Sequence, residues 1–171
     1  MAILKTIPEE IAQLGLTIAE EYECYLAGGA LRDIDHGRAV KDFDFYVRLD
    51  DHDGVVGVAS EQKGYNSGIP LIPEFPEDPY EFETFDCAIG EWSVQIIGVP
   101  EPKEYILREF DIDFCKIFFD FGTGTLHRTM EYRRDAKNKH VTIHKNLLTN
   151  PVHVLRILEK YPDFTTRFLE T

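Results

Sequence analysis

Apolar positions in this chain come in short runs with two different spacings, and the changes of spacing mark out its elements. Pro8-Glu9-Glu10 reads as a helix start, with proline at the first turn and acids beside the positive end. Residues 23–27 are short, aromatic and apolar, which predicts a buried strand ending at Gly28-Gly29. Residues 30–34 suit a short helix that stops near Gly37. Residues 40–47 alternate, with aromatic and β-branched side chains that favour a strand. Asp50-Asp51-His52-Asp53 ends that strand and caps a helix through about Lys63. Residues 66–79 hold four prolines and read as a loop.

Residues 80–87 and 92–99 flank a turn at 89–91 and predict a hairpin. Residues 100–110 suit a short helix, and residues 111–119 another strand turning near Gly122 and Gly124. Helices over 128–138 and 152–161, with a strand over 140–144 between them, complete the pattern. Strands and helices mixed in this way predict an α+β fold, a single domain over residues 1–171.

Composition narrows the class. At 171 residues, 43 % hydrophobic and 12 % aromatic, the chain can bury one proper core and is not of the disordered type. No apolar run is long enough for a membrane helix, and the N-terminus lacks a secretory pattern. Cys24, Cys87 and Cys115 are three and far apart, which fits thiols in a reducing cytoplasm. Net charge is −13, concentrated in residues 1–100 with 6 Lys and Arg against 20 Asp and Glu. Such a chain repels phosphate backbones, so an extensive nucleic-acid grip is disfavoured. Residues 127–145 run against that trend with six Lys and Arg, either a solvated helix face or a local phosphate clamp.

The chemistry is concentrated between Gly28 and Asp44, which read GGALRDIDHGRAVKDFD. A strand–Gly-Gly–helix turn lets a ligand approach the backbone and points amides at one spot, which suits phosphate. Arg32, one turn on, adds a charge-assisted donor. Asp42 and Asp44 project from one face of their strand, about 7 Å apart along it. Carboxylates facing one way repel unless a cation lies between them. Mg²⁺ or Mn²⁺, bridging carboxylates and substrate phosphates, is the expected cofactor.

The same stretch resembles the signature of the head domain of CCA-adding enzymes and bacterial poly(A) polymerases. That family lies within the DNA-polymerase-beta-like nucleotidyltransferase superfamily, and its signature reads GGxxRDxxxGRxxxDxD. Gly28, Gly29, Arg32, Asp33, Gly37, Arg38, Asp42 and Asp44 fall on it without a gap, and Lys41 is the residue often found before the first aspartate. Asp35 and His36 depart from it, standing where apolar residues are usual. The resemblance implies a nucleotidyltransferase fold, a mixed and mostly antiparallel sheet with helices packed on one side. It implies that Asp42 and Asp44 hold the metals and that Gly28 and Gly29 contact the triphosphate. Arg32, Asp33, Arg38 and Lys41 then shape or line the nucleotide pocket.

The superfamily also needs a third carboxylate, usually on a strand beside the Asp-x-Asp strand. Ser93 occupies the position where that acid is expected, so the role falls to Asp111 first and Asp113 second. Glu83 and Asp86 are weaker candidates that face opposite ways. No Glu-Asp-x-x-Arg base-selecting element and no long helical tRNA-binding region follow. The expectation is therefore transfer of an NMP from an NTP to a hydroxyl on an RNA end, a protein or a small molecule, releasing pyrophosphate, with a protein partner among the ways an acceptor is presented. The competing expectation is a catalytically silent nucleotide-binding or antitoxin-like protein on the same scaffold.

Overall fold

The computed structural model describes residues 5–67, 83–144 and 150–169. The chain runs through helix α1 (Glu9–Ala19), strand β1 (Cys24–Ala27), α2 (Gly29–Asp35), β2 (Asp42–Arg48), α3 (His52–Ser60) and β3 (Tyr65–Asn66). The hairpin β4 (Glu83–Ile89) and β5 (Trp92–Val99) leads to α4 (Pro102–Arg108), β6 (Ile117–Asp120), β7 (Thr125–Arg128) and α5 (Met130–Asn138). Last come β8 (His140–His144), α6 (Pro151–Lys160) and β9 (Thr165–Leu169).

Seven strands form one sheet in the order β3-β4-β5-β2-β1-β6-β7. Every neighbouring pair is antiparallel except β2 and β5, which run parallel. β8 and β9 make a separate parallel pair. The sheet is thus mixed and mostly antiparallel, within an α+β architecture.

Alternation along β2 decides what each face meets. Phe43, Phe45 and Val47 enter the main core with Ile11, Leu14 and Ile18 of α1 and Val55 and Ala59 of α3. Burying each of the three α1 side chains stabilises the fold by about 1.5–3 kcal/mol. Tyr46, on the opposite face, joins Tyr25, Ile97, Val99 and Phe118 in a smaller cluster under Ile106 of α4. Most helices therefore pack on one side, while α4 covers part of the other. On that second face Asp42 remains exposed and Asp44 half-buried.

Several expectations need correcting. No strand spans 111–119: Ile112 makes an isolated bridge to Ile143, Asp113–Cys115 form a 3₁₀ turn, and β6 begins only at Ile117. The cause is the Asp113 carboxylate, which is fully buried and needs donors close by. It accepts from His144 Nε2 at 2.6 Å, Lys116 Nζ at 3.2 Å and Arg134 Nη2 at 3.5 Å. The turn places Lys116 within reach, where an extended strand would point it away. Arg128 belongs to β7 rather than to α5, which starts after Thr129, whose hydroxyl accepts the Tyr132 amide. The helix after Asp51 stops at Ser60, short of Lys63. Most of the proline-rich stretch over 66–79 lies outside the described residues.

Candidate active site

β1 delivers the chain to Gly28, whose φ of 86° a side chain would strain. The Gly28 amide is already donated to the Ile117 carbonyl at 3.1 Å, so it anchors the bend rather than facing a ligand. The first turn of α2 follows, with amides that have no partner inside the helix. Gly29 and Ala30 of that turn line a cleft of about 500 Å³. The same cleft is lined by Arg32, Asp33, Lys41, Asp42 and Asp44, and by His153, Arg156 and Lys160 of α6. The predicted phosphate turn and the predicted carboxylate pair thus share one cavity.

Arg32 and Asp33 form its floor. Arg32 is buried, with Nε on Asp33 Oδ1 at 2.9 Å and Nη1 on Cys115 Sγ at 3.3 Å. Asp33 also accepts from Lys160 Nζ and the Tyr161 hydroxyl, each at 2.9 Å. Burial alone would raise the Asp33 carboxyl, but the Arg32, Lys160 and Tyr161 bonds outweigh it and hold the group below its ordinary range. Arg38 is not among the lining residues; its guanidinium lies over the Tyr161 ring, 4.2 Å from the centroid. Asp35 and His36, the departures from the signature, serve packing. Arg128 grips both oxygens of Asp35 through Nε and Nη2, and the Tyr132 hydroxyl donates to Oδ2 at 2.7 Å.

Across the sheet, Asp44 lies opposite Gln95 of β5, and Gln95 lies opposite Asp86 of β4. The three form one row on one face. Burial first, then the charges of Asp42 and Asp86, push the Asp44 carboxyl up to about 7. All three causes act in the same direction. Burial also raises Asp86, partly offset by a hydrogen bond from Gln95. A half-buried all-oxygen donor set under mutual repulsion fits a hard divalent ion such as Mg²⁺ or Mn²⁺.

Neither acid expected as the third carboxylate lines the cleft. Asp113 is consumed by its buried ion pairs. Asp111 is half-buried, near enough to His153 and Tyr46 for its charge to act on both. The acid outside β2 whose charge reaches Asp44 is instead Asp86, on β4 two strands away, which is likewise not among the residues that line the cleft. Its place was open to reading: counting back from the turn, Ile89 faces Trp92, so Asp86 must face Gln95.

No protein-family model matches the chain, and no curated protein does either. Solved structures do. A tRNA nucleotidyltransferase in complex with a primer tRNA and an incoming ATP analogue superposes with a TM-score of 0.61 at 22 % identity, covering 90 % of this chain and 46 % of that one. The Thermotoga maritima CCA-adding enzyme in complex with tRNA gives 0.65 at 19 %, covering 98 % and 41 %. A CCA-adding enzyme in complex with CTP gives 0.64 at 19 %, covering 97 % and 42 %. This is the nucleotidyltransferase fold. The chain spans less than half the length of these structures. Within the nucleotidyltransferase fold seen here, β2 carries the Asp pair, and the first turn of α2 lines the same cleft. Among the described residues no helix is long and apolar enough to cross a membrane.

Proposed function

We propose that the protein is a metal-dependent nucleotidyltransferase that moves an NMP from an NTP onto a hydroxyl acceptor. The acceptor oxygen bonds to the α-phosphorus, the bond from that phosphorus to the bridging oxygen breaks, and pyrophosphate leaves. The observation that carries this reading is the single cleft shared by the α2 turn and by Asp42 and Asp44. A divalent ion held by that pair would offset the triphosphate charge and favour in-line displacement.

The chain's own groups supply the rest. Amides of the first turn of α2, with Lys41, Arg156 and Lys160, receive the phosphates. Arg32 and Asp33, locked together and to Tyr161, hold the floor rigid beneath them. Asp86 takes the proton of the acceptor hydroxyl, because β5 offers only Ser93 opposite Asp42 and Gln95 opposite Asp44. Asp111 is its competitor, from the His153 side of the cleft.

Related folds are seen with CTP, an ATP analogue and tRNA, which supports an NTP as donor. The charge of −13 argues that the acceptor is held locally, as an RNA end, a protein side chain or a small molecule, and not gripped along a nucleic-acid backbone. The test is incubation with α-labelled NTPs, Mg²⁺ or Mn²⁺ and candidate acceptors. Transfer of label that Asp42→Asn abolishes supports the enzyme.

Gln95 favours a second reading. It puts an amide where a carboxylate would complete the cluster, as expected of a silent nucleotide-binding or antitoxin-like protein. Tight NTP binding with no transfer to any acceptor class would establish that reading.

A further inference from the structure

Another group of donors converges where α3 begins against the β4–β5 hairpin. The His52 imidazole is only 5 % exposed. It rests on Gly98, where an added Cβ would come within 3.0 Å of the His52 ring, so the seat exists only because that strand residue lacks a side chain. His52 Nε2 lies 3.0 Å from the Ile96 carbonyl. A carbonyl only accepts, so Nε2 carries the proton. In the neutral ring Nδ1 is then a lone pair, and it faces Glu83 Oε2 at 3.2 Å. Asp53, the next residue of α3, brings in a third donor: one ligand atom from each of His52, Asp53 and Glu83 lies within 4.8 Å of the others.

A lone pair and two carboxylates do not converge without something positive among them. A proton on Nδ1 serves one carboxylate oxygen. A divalent ion serves all three donors at once. The imidazole also carries the outer contact that orients metal-ligating histidines, its far N–H held by a backbone carbonyl. A nitrogen ligand selects against Mg²⁺ and Ca²⁺ and suits the borderline ions. Three protein ligands leave room for water in the fourth position.

We propose that His52, Asp53 and Glu83 form a binding site for a divalent transition cation of the Zn²⁺ type, separate from the Asp42–Asp44 cleft. The ion joins the first residue of β4 to the first turn of α3, across the backbone of β5. The site is built by the hairpin register: Glu83 stands opposite Gly98, and Gly98 is where the ring sits. It does not depend on the nucleotidyl-transfer reading.

The test uses the full chain carrying Asp42→Asn and Asp44→Asn, so that the cleft carboxylates do not contribute, and Zn²⁺ as the probe. Calorimetric titration is expected to show one equivalent bound, with a raised melting temperature. Glu83→Gln and Asp53→Asn, both at exposed positions that leave the fold intact, are each expected to weaken binding more than about tenfold. Excess Mg²⁺ is expected not to compete. Nitrogen chemical shifts of His52 should move at Nδ1 on adding Zn²⁺ while Nε2 keeps its proton. The proposal is overturned if Zn²⁺ does not bind, if it binds Glu83→Gln as tightly as the parent, or if both His52 nitrogens stay protonated in its presence.

Discussion

Asp44 and Asp86 stand in one cross-strand row, two strands apart, with only Gln95 between them. That separation is about 10 Å at ordinary strand spacing, close enough for one charge to act on the other through the half-buried face. The charge already on this surface sets how the fold responds to pH.

The Asp44 carboxyl titrates near 7 when folded, against 3.8 in the ordinary case, so the folded state binds its proton more tightly than the unfolded state. Stability is therefore lost as pH rises from about 4 to about 7, and it is level above that. Asp44→Asn removes the repulsion. Without divalent ions, its melting temperature should exceed the parent's by about 2–6 °C at about pH 8, and the two should coincide near pH 4. Thermal melts at both pH values check this, and an unchanged difference would count against it.

Asp86→Asn should lower turnover by about 10²-fold or more while leaving NTP affinity nearly unchanged, the pattern of a lost proton acceptor. Asp111→Asn, assayed beside it, decides between the two acids. If Asp111→Asn shows the larger loss, the proton goes to the His153 side of the cleft and the Asp86 assignment fails.

Asp113→Ala should act on stability. It strips the partner from Lys116, itself buried, and leaves that ammonium uncompensated, at a cost of about 3–5 kcal/mol. Denaturant melts measure the loss. Turnover per folded molecule should remain near the parent's.

Arg156→Ala should weaken NTP binding and flatten its salt dependence, with little effect on melting temperature. Arg156 lines the cleft from an exposed position and has no ion pair among the described residues. Lys160→Ala should do both, because Lys160 also holds Asp33. Titrations at two salt concentrations read the loss of binding in each variant, and thermal melts separate the pair.

Asp35→Ala should cost about 1–3 kcal/mol, chiefly by leaving the buried Tyr132 hydroxyl without its acceptor. Burial alone would raise the Asp35 carboxyl, but the Arg128 and Tyr132 bonds hold it below the ordinary value. Its contribution is therefore present above about pH 4 and fades as the solution is acidified further. Acid unfolding of the parent should begin at a lower pH than that of the variant.

That Gly29, Arg32, Asp33, Lys41, Asp42 and Asp44 share one cleft could be read from their order, because Gly, Asp and alternation each constrain the backbone locally, whereas Gly28 gives its amide to Ile117 and Arg38 lies on Tyr161 instead. Asp111 and Asp113 could not. Their spacing matches a strand face, but what shapes that segment is a buried charge reaching for Lys116, His144 and Arg134, and only the last two lie far off in sequence. Likewise His36 departs from the signature for a reason that lies far off in sequence, its ring packing among Phe114, Tyr132 and Tyr161. The register of Asp86 is legible, because the hairpin turn pairs Ile89 with Trp92 and so sets Asp86 opposite Gln95.

The wall that α6 gives the cleft comes from residues 151–160, more than a hundred positions after the aspartates it faces. During synthesis the strand bearing Asp42 and Asp44 therefore emerges long before the helix that walls its cleft. A nascent chain that has formed only its central β1–β2 ribbon still lacks Arg156 and Lys160, and with them two of the basic groups of that cleft.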